Sequence, residues 1–99
     1  MGEFEQLVLL ALLRLGNDAY GMEVREEIEQ RTGREISYGA VYTTLDRLER
    51  KGLVTYRLGE ATAERGGRAR KYFRVSPAGA DALRETRAAL TVMWQGVRL

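Results

Sequence analysis

Residues 37–54 read SYGAVYTTLDRLERKGLV. Their apolar residues first follow the spacing of a helix and then the alternation of a strand. Apolar side chains at three- and four-residue spacing predict a helix over 38–51 with one apolar stripe. That stripe comprises Tyr38, Val41, Tyr42, Leu45 and Leu48. Ser37 stands where its hydroxyl would accept a hydrogen bond from a free backbone donor of that helix, and Gly52 is placed to end it. Because alternation typical of a strand begins at Leu53, the stretch predicts a capped helix that leads directly into a strand.

The residues that follow predict a second strand and a last helix. RKYFRV, residues 70–75, alternates with Phe73 and Val75 on one face. The opposite face carries Arg70, Tyr72 and Arg74. GEATAERGGRA, residues 59–69, is unsuited to regular structure and predicts a hairpin loop. SPAG, residues 76–79, supplies an N-cap serine with proline at the first helical position, which predicts a helix from there toward the C-terminus.

Two helices precede this stretch. The first is predicted over 4–15 and is apolar on more than one side, so it needs more than one neighbour. GNDAYG, residues 16–21, breaks it, and a second helix over 21–32 ends at Gly33. The charged side chains of the second helix are expected to face solvent: Arg25, Glu26, Glu27, Glu29 and Arg31.

The composition excludes several classes of protein. With 99 residues, of which 44% are hydrophobic and 30% charged, the chain is predicted to be a single globular domain. Because it has neither cysteine nor histidine, Cys/His zinc sites and His-based triads are excluded, and no cofactor is expected. A hydrolase that uses only carboxylates is an alternative, but Glu26, Glu27 and Glu29 point apart on one short helix. We therefore predict that the protein is not an enzyme.

The apolar run near the N-terminus does not have the features of a targeting segment. Acidic residues precede it and no small-residue cleavage site follows it. Charged residues also interrupt the chain too often for a membrane span. The expectation is a cytoplasmic protein with no membrane partner.

Basic charge is concentrated in the middle of the chain. The net charge of +2 divides into −4 for residues 1–36 (4 basic, 8 acidic), +5 for residues 37–75 (9 basic, 4 acidic) and +1 for residues 76–99 (3 basic, 2 acidic). This distribution is expected when one surface meets a polyanion, although a solvated basic face is an alternative interpretation.

The order of elements describes a winged helix-turn-helix with an added C-terminal helix. The predicted fold class is mainly α with a small β-hairpin. We predict a DNA-binding domain over 1–76 and a dimerisation helix over 77–99. A winged helix used as a protein-protein interaction module, without DNA binding, is the main alternative, because a fold does not dictate its use.

The third helix is the predicted recognition helix. Gly39 and Ala40 are small enough to let it approach the major groove closely, while Thr43 and Arg47 can donate hydrogen bonds to bases or phosphates. The basic hairpin would lay its arginines on flanking phosphates or in the minor groove. The helix is therefore expected to select the sequence, and the hairpin to supply affinity.

Three motifs together resemble the PadR family of bacterial transcriptional regulators, and the match spans nearly the whole chain. They are NDAYGMEVREEIEQRTG at 17–33, SYGAVYTTLDRLERKGLV at 37–54 and GGRARKYFRVSPAG at 66–79. The resemblance implies a homodimeric winged-helix repressor of double-stranded DNA, often released by a small aromatic or drug-like effector. A dimer of this kind would bind a palindromic operator. Because the last helix ends at Leu99, any effector site is expected at the dimer interface.

The resemblance also implies that several residues lie near DNA. Other residues on the same elements are added to them as predicted DNA contacts. Tyr42 lies on the apolar stripe, so core packing and a phosphate contact both stay open for it. The predicted DNA-contacting residues are Tyr20, Ser37, Tyr38, Gly39, Tyr42, Thr43, Arg47, Arg65, Arg68, Arg70 and Lys71.

The resemblance implies that the first and last helices form the dimer contacts. Leu83, Leu90 and Val97 are seven residues apart, which is typical of a helix-helix seam. The alternative is that the last helix folds back on its own domain. Trp94 is either an anchor of the seam or the wall of an effector pocket. The predicted dimer contacts are Phe4, Leu7, Val8, Leu83, Leu90, Met93, Trp94 and Val97.

Overall fold

A computed structural model describes residues 1–60 and 69–99. Within these ranges the chain forms four helices and a two-stranded antiparallel hairpin. The elements are α1 (Glu3–Arg14), α2 (Gly21–Thr32), α3 (Tyr38–Arg50), β1 (Val54–Leu58), β2 (Lys71–Val75) and α4 (Pro77–Trp94). The predicted fold class and element order are confirmed, and Arg65 and Arg68, two predicted DNA contacts, lie outside the described residues.

The core lies where α1, α2 and α3 meet the base of the hairpin. On α3, Val41, Leu45 and Leu48 are fully buried, as the stripe predicts, and Thr44 is buried beside them. Tyr38 and Tyr42 are exposed instead. Of the two interpretations left open for Tyr42, core packing is therefore excluded. Both rings lie at the edge of the stripe, where they contact α2 rather than the interior.

The hairpin, which we call the wing, is attached to the loop between α1 and α2. β1 and β2 pair in antiparallel register from Val54 opposite Val75 to Leu58 opposite Lys71. Ala19 pairs with Phe73 through two backbone hydrogen bonds of 3.2 and 2.7 Å. The Asn17 side chain adds two more to the backbone of Val75, at 3.4 and 2.7 Å. The loop is therefore fastened to β2 by one β-bridge and by the Asn17 side chain.

The inward face of the wing is buried only near its base. Phe73 and Val75 are buried as the alternation predicts, and Val54 lies beside them. Tyr56 and Leu58, predicted on the same face as Val54, are exposed. Alternation indicates which face a side chain occupies, but not whether the helices extend far enough to cover it.

α4 packs on the domain only at its beginning. Ser76 accepts a hydrogen bond from the Gly79 amide at 3.1 Å, and Pro77 occupies the first turn. Gly79 is the one buried residue of α4. The radius of gyration of 15.0 Å exceeds the value of about 13 Å for a compact domain of this length, because α4 projects away from the rest. None of the helices in residues 1–60 and 69–99 is long and apolar enough to cross a membrane.

Candidate nucleic-acid interface

The exposed face of α3 carries small and polar side chains. The Ser37 hydroxyl accepts a hydrogen bond from the Ala40 amide at 3.1 Å, so the predicted N-cap is confirmed. Gly39, Ala40 and Thr43 are exposed on the side of α3 opposite its buried stripe. Because Gly39 and Ala40 are small, the walls of a nucleic-acid groove that admits this helix could approach its backbone closely here.

A pair of charged residues on α2 fixes the chain just before α3. Arg25 Nε donates to the Ile36 carbonyl at 2.7 Å, and Glu29 accepts from the Ile36 amide at 2.9 Å. The Arg25 guanidinium also lies 4.6 Å from the centre of the Tyr38 ring. The prediction that Arg25 and Glu29 face solvent was wrong, because both turn toward the backbone that leads into α3. They therefore help to position the start of the candidate recognition helix.

Tyr42 joins α3 to the beginning of α2. Its side chain is 45% exposed, so it does not belong to the core. A Cβ atom on Gly21 would lie 2.6 Å from Tyr42 Cζ, which means that the ring lies directly on the α2 backbone. A side chain at position 21 would require the exposed Tyr42 ring to shift. Tyr20, which precedes Gly21, in turn contacts Tyr72 of the wing.

Alternating arginine and tyrosine side chains cover the outer face of the wing. The Arg70 guanidinium lies 3.9 Å from the centre of the Tyr20 ring, and Tyr20 packs edge-on against Tyr72 at 5.7 Å. The Arg57 guanidinium lies 4.4 Å from the centre of the Tyr72 ring. We call Arg70, Tyr20, Tyr72 and Arg57 the arginine–tyrosine stack. It holds two cations in fixed positions through cation–π contacts.

Asp18 forms an ion pair with one cation of the stack. Arg57 donates through Nε and a terminal nitrogen to the two carboxylate oxygens of Asp18, at 3.1 and 2.8 Å. Hydrogen bonding from Arg57 lowers the pKa of Asp18, and the positive charge of Arg74 acts in the same direction. The fork-shaped pair is bidentate, the geometry that arginine also uses with phosphate.

Lys71 lies on the other face of the wing from Arg70. Its ammonium is 4.2 Å from the centre of the Tyr56 ring. Arg70 and Lys71 are consecutive, so their side chains project to opposite sides of the extended chain. The wing therefore offers a cation on each face.

The end of α3 is tied to the beginning of α1. Glu5 is buried, and its carboxylate accepts from Lys51 Nζ at 3.0 Å and from the Gly2 amide at 3.2 Å. Arg47, a predicted DNA contact, lies 3.9 Å from the same carboxylate and remains half-exposed. Hydrogen bonding from Lys51 lowers the pKa of Glu5 despite its burial. Sequence reasoning missed Glu5, because its partners are more than forty positions away.

An open apolar groove of about 630 Å³ runs between α1 and α4. Leu10 and Leu13 of α1 face Leu83, Leu90 and Trp94 of α4 across it. Farther along α4, side chains are strongly exposed, with Met93 at 72%. Trp94 thus borders the groove, where the predicted dimer seam and the predicted effector site coincide.

The remaining predicted dimer contacts differ in their surroundings. Val97 is exposed beyond α4, whereas Phe4 and Leu7 are partly buried against the core. Val8 is 0% exposed within its own protomer, so the prediction that it contacts a partner was wrong. Its side chain points into the core between the helices, and Leu10 and Leu13 are the exposed leucines of α1 instead.

Two of the α2 carboxylates that were considered for a hydrolase bind neighbouring groups. Glu27 pairs with Arg14 and Arg31, and Glu29 holds the amide of Ile36. Within the described ranges, no three acidic side chains are grouped to hold a metal ion.

The sequence and the fold are similar to those of known proteins. The family model described as transcriptional regulator PadR-like matches residues 9–85. Over 74 residues the chain is 39% identical to transcriptional regulator Rv3488 of Mycobacterium tuberculosis, covering 75% of this chain and 64% of that protein. The chain thus spans less than two thirds of the length of this relative.

Solved structures of similar proteins share the fold. A PadR family transcriptional regulator from Eggerthella lenta superposes with a TM-score of 0.74 at 29% identity, over 95% of this chain and 81% of that one. A PadR-like transcription factor from Bacteroides fragilis gives a TM-score of 0.78 at 24% identity, over 91% of this chain and 82% of that one. The winged-helix architecture is therefore common to all three chains.

Proposed function

The chain belongs to the PadR-like family of transcriptional regulators, and we propose that it is a cytoplasmic homodimer that binds a specific DNA operator. The observation that supports the proposal is a surface formed by α3 and the wing, which a series of contacts joins. The Tyr42 ring of α3 lies on Gly21, Gly21 follows Tyr20, and Tyr20 belongs to the arginine–tyrosine stack. A duplex seated there would meet a helix suited to the major groove and a cationic hairpin beside it.

The two parts of this surface have different tasks in the proposal. The start of α3, with Gly39 and Thr43 exposed, reads base edges. Phosphates are bound by the wing, where Arg70 and Lys71 lie on opposite faces. A hairpin seated between two phosphate backbones would offer each backbone a cation.

A second copy of the chain would cover the groove between α1 and α4. Exposed apolar surface of this kind marks an interaction site, and α4 extends beyond the domain that it begins on. The dimer would place two α3 helices about 34–36 Å apart, one turn of DNA, over a palindromic operator.

In this proposal the protein is a repressor, and its effector site is the same groove. A partner that covers the open side would convert the groove into an enclosed pocket beside Trp94. A small aromatic or drug-like molecule could stack on this indole. Its binding would change the angle between the two protomers and release the operator.

Selection of bound fragments from genomic DNA tests sequence recognition. The wild-type protein is expected to enrich a palindrome, and Thr43→Ala to enrich a related sequence with altered preference at one position of each half-site, because a base contact typically discriminates by about 1–3 kcal/mol. The control is Thr86→Ala, which removes a threonine hydroxyl from α4, outside the proposed DNA-binding surface. It should enrich the same palindrome as the wild type. If the folded wild-type dimer retained no fragment above background, the proposal would fail and a protein-binding role would be favoured.

Titration with salt tests the wing as a phosphate-binding element. Arg70→Ala is expected to weaken binding to operator and unrelated duplexes alike. The slope of log affinity against log salt should become shallower by about 0.9, the value for one lost phosphate contact. Fluorescence anisotropy over a series of salt concentrations measures both quantities. Arg98→Ala, which removes a positive charge beyond α4, is the control, and equal slopes for the two variants would contradict the phosphate contact.

A further inference from the structure

We propose that Asp18 limits the affinity of the protein for DNA by occupying the face of Arg57 that would otherwise bind a phosphate. This inference rests on the proposed DNA-binding function and concerns the same wing. Asp18 is thereby an affinity-setting residue that acts through Arg57.

The geometry of the pair carries the inference. Both oxygens of Asp18 lie on the fork of the Arg57 guanidinium, at 3.1 and 2.8 Å. A phosphate would use the same two donors, because arginine binds carboxylate and phosphate through the same bidentate geometry. While Asp18 holds this fork, the guanidinium cannot offer it to DNA.

The surroundings show that this arginine is otherwise suited to DNA. Arg57 packs on Tyr72, which contacts Tyr20 beneath Arg70, so both arginines belong to one stack on one face of the wing. The side chain of Arg57 is 57% exposed and that of Asp18 is 48% exposed. A pair so open to water contributes little to folding. Its main effect is therefore on the charge that the wing presents to a polyanion.

Neutralising Asp18 should free Arg57 for a phosphate. Asp18→Asn is expected to bind operator and unrelated duplexes more tightly than the wild type, with a salt slope steeper by about 0.9. Between 50 and 200 mM salt, the ratio of its affinity to that of the wild type should fall roughly threefold, because salt weakens the one additional phosphate contact. Asp18→Ser removes the carboxylate with a different side chain and should give the same result.

Two controls separate this effect from general electrostatics. Asp81→Asn removes the same charge from an exposed pair with Arg84 on α4, where the distance is 2.7 Å, and should leave the slope unchanged. The second control repeats Asp18→Asn in an Arg57→Gln background, where no guanidinium is released. The gain in affinity there is expected to be less than half of the gain in the presence of Arg57.

Fluorescence anisotropy on the 99-residue chain decides between the possible outcomes. A gain that requires Arg57 supports the inference. An equal gain in both backgrounds would overturn it, since Asp18 would then act only by repelling phosphates. If the wild type binds its operator but Asp18→Asn behaves like Asp81→Asn, the inference fails and the proposed function stands. If the wild type binds no DNA, both fail.

Discussion

Leu90→Glu is expected to convert the proposed dimer into a monomer and to weaken binding to the proposed operator by about a hundredfold or more. Leu90 is exposed in the protomer and faces Leu10 and Leu13 across the groove. A partner that covers the groove would bury the new carboxylate without a counter-charge, which is strongly unfavourable. Loss of the second half-site contact removes the gain from bivalent binding, which is about 10²–10⁴.

Light scattering after size exclusion measures the mass, and anisotropy measures affinity for the operator. Ala89→Glu is the matched control, because Ala89 is exposed on the side of α4 that faces away from the groove. It should remain a dimer and keep its affinity. A dimer formed by Leu90→Glu at the same concentration as the wild type would show that the groove is not the interface.

Gly79→Ala is expected to destabilise the fold by about 2 kcal/mol or more, although alanine is the better helix former by about 1 kcal/mol. An added Cβ would overlap with the Leu53 carbonyl oxygen and would lie 2.9 Å from Val75 Cγ1. Neither atom can move away easily, because the carbonyl accepts a hydrogen bond from the Ser76 amide at 3.0 Å and Val75 is buried. The clash therefore outweighs the gain in helix propensity.

Thermal unfolding followed by circular dichroism should show a midpoint lower by on the order of 10 °C. Gly39→Ala is the matched control on α3, because its added Cβ would meet only the Ser37 hydroxyl oxygen, at 4.0 Å. That variant should be as stable as the wild type or up to about 1 kcal/mol more stable. Equal midpoints for the two variants would mean that α4 does not lie so close to Leu53.

The elements of this fold were predictable because their signals are local. Ser37 and Ser76 each lie three residues before the amide that they cap, and the change from helical to strand period occurs within residues 48–54. Gly33 ends α2 with a positive φ of 70°, which is the expected use of glycine. Signals of this kind need no knowledge of the remaining chain.

The details of the candidate interface were not predictable from such signals. Arg25 and Glu29 are charged, as the side chains of a solvent-facing stripe usually are. Only the position of Ile36 in the structure shows that both form hydrogen bonds with its backbone. Asp18 and Arg57 are separated by 39 positions and meet because β2 brings the wing beside the α1–α2 loop. Val8 illustrates the same limit, because a helix apolar on several sides does not indicate which side faces its own core.

The close contact between Gly79 and Leu53 also fixes the point at which α4 leaves the base of the wing. Trp94 lies fifteen residues beyond Gly79, or about 22 Å along the helix axis. A rotation of about 10° at Gly79 would therefore move the end of α4 by about 4 Å, close to the 3.4 Å rise of one base pair. In a dimer joined through α4, the spacing of the two half-sites would be set by an angle at one glycine, and an operator lengthened by a single base pair would measure how far that angle can adjust.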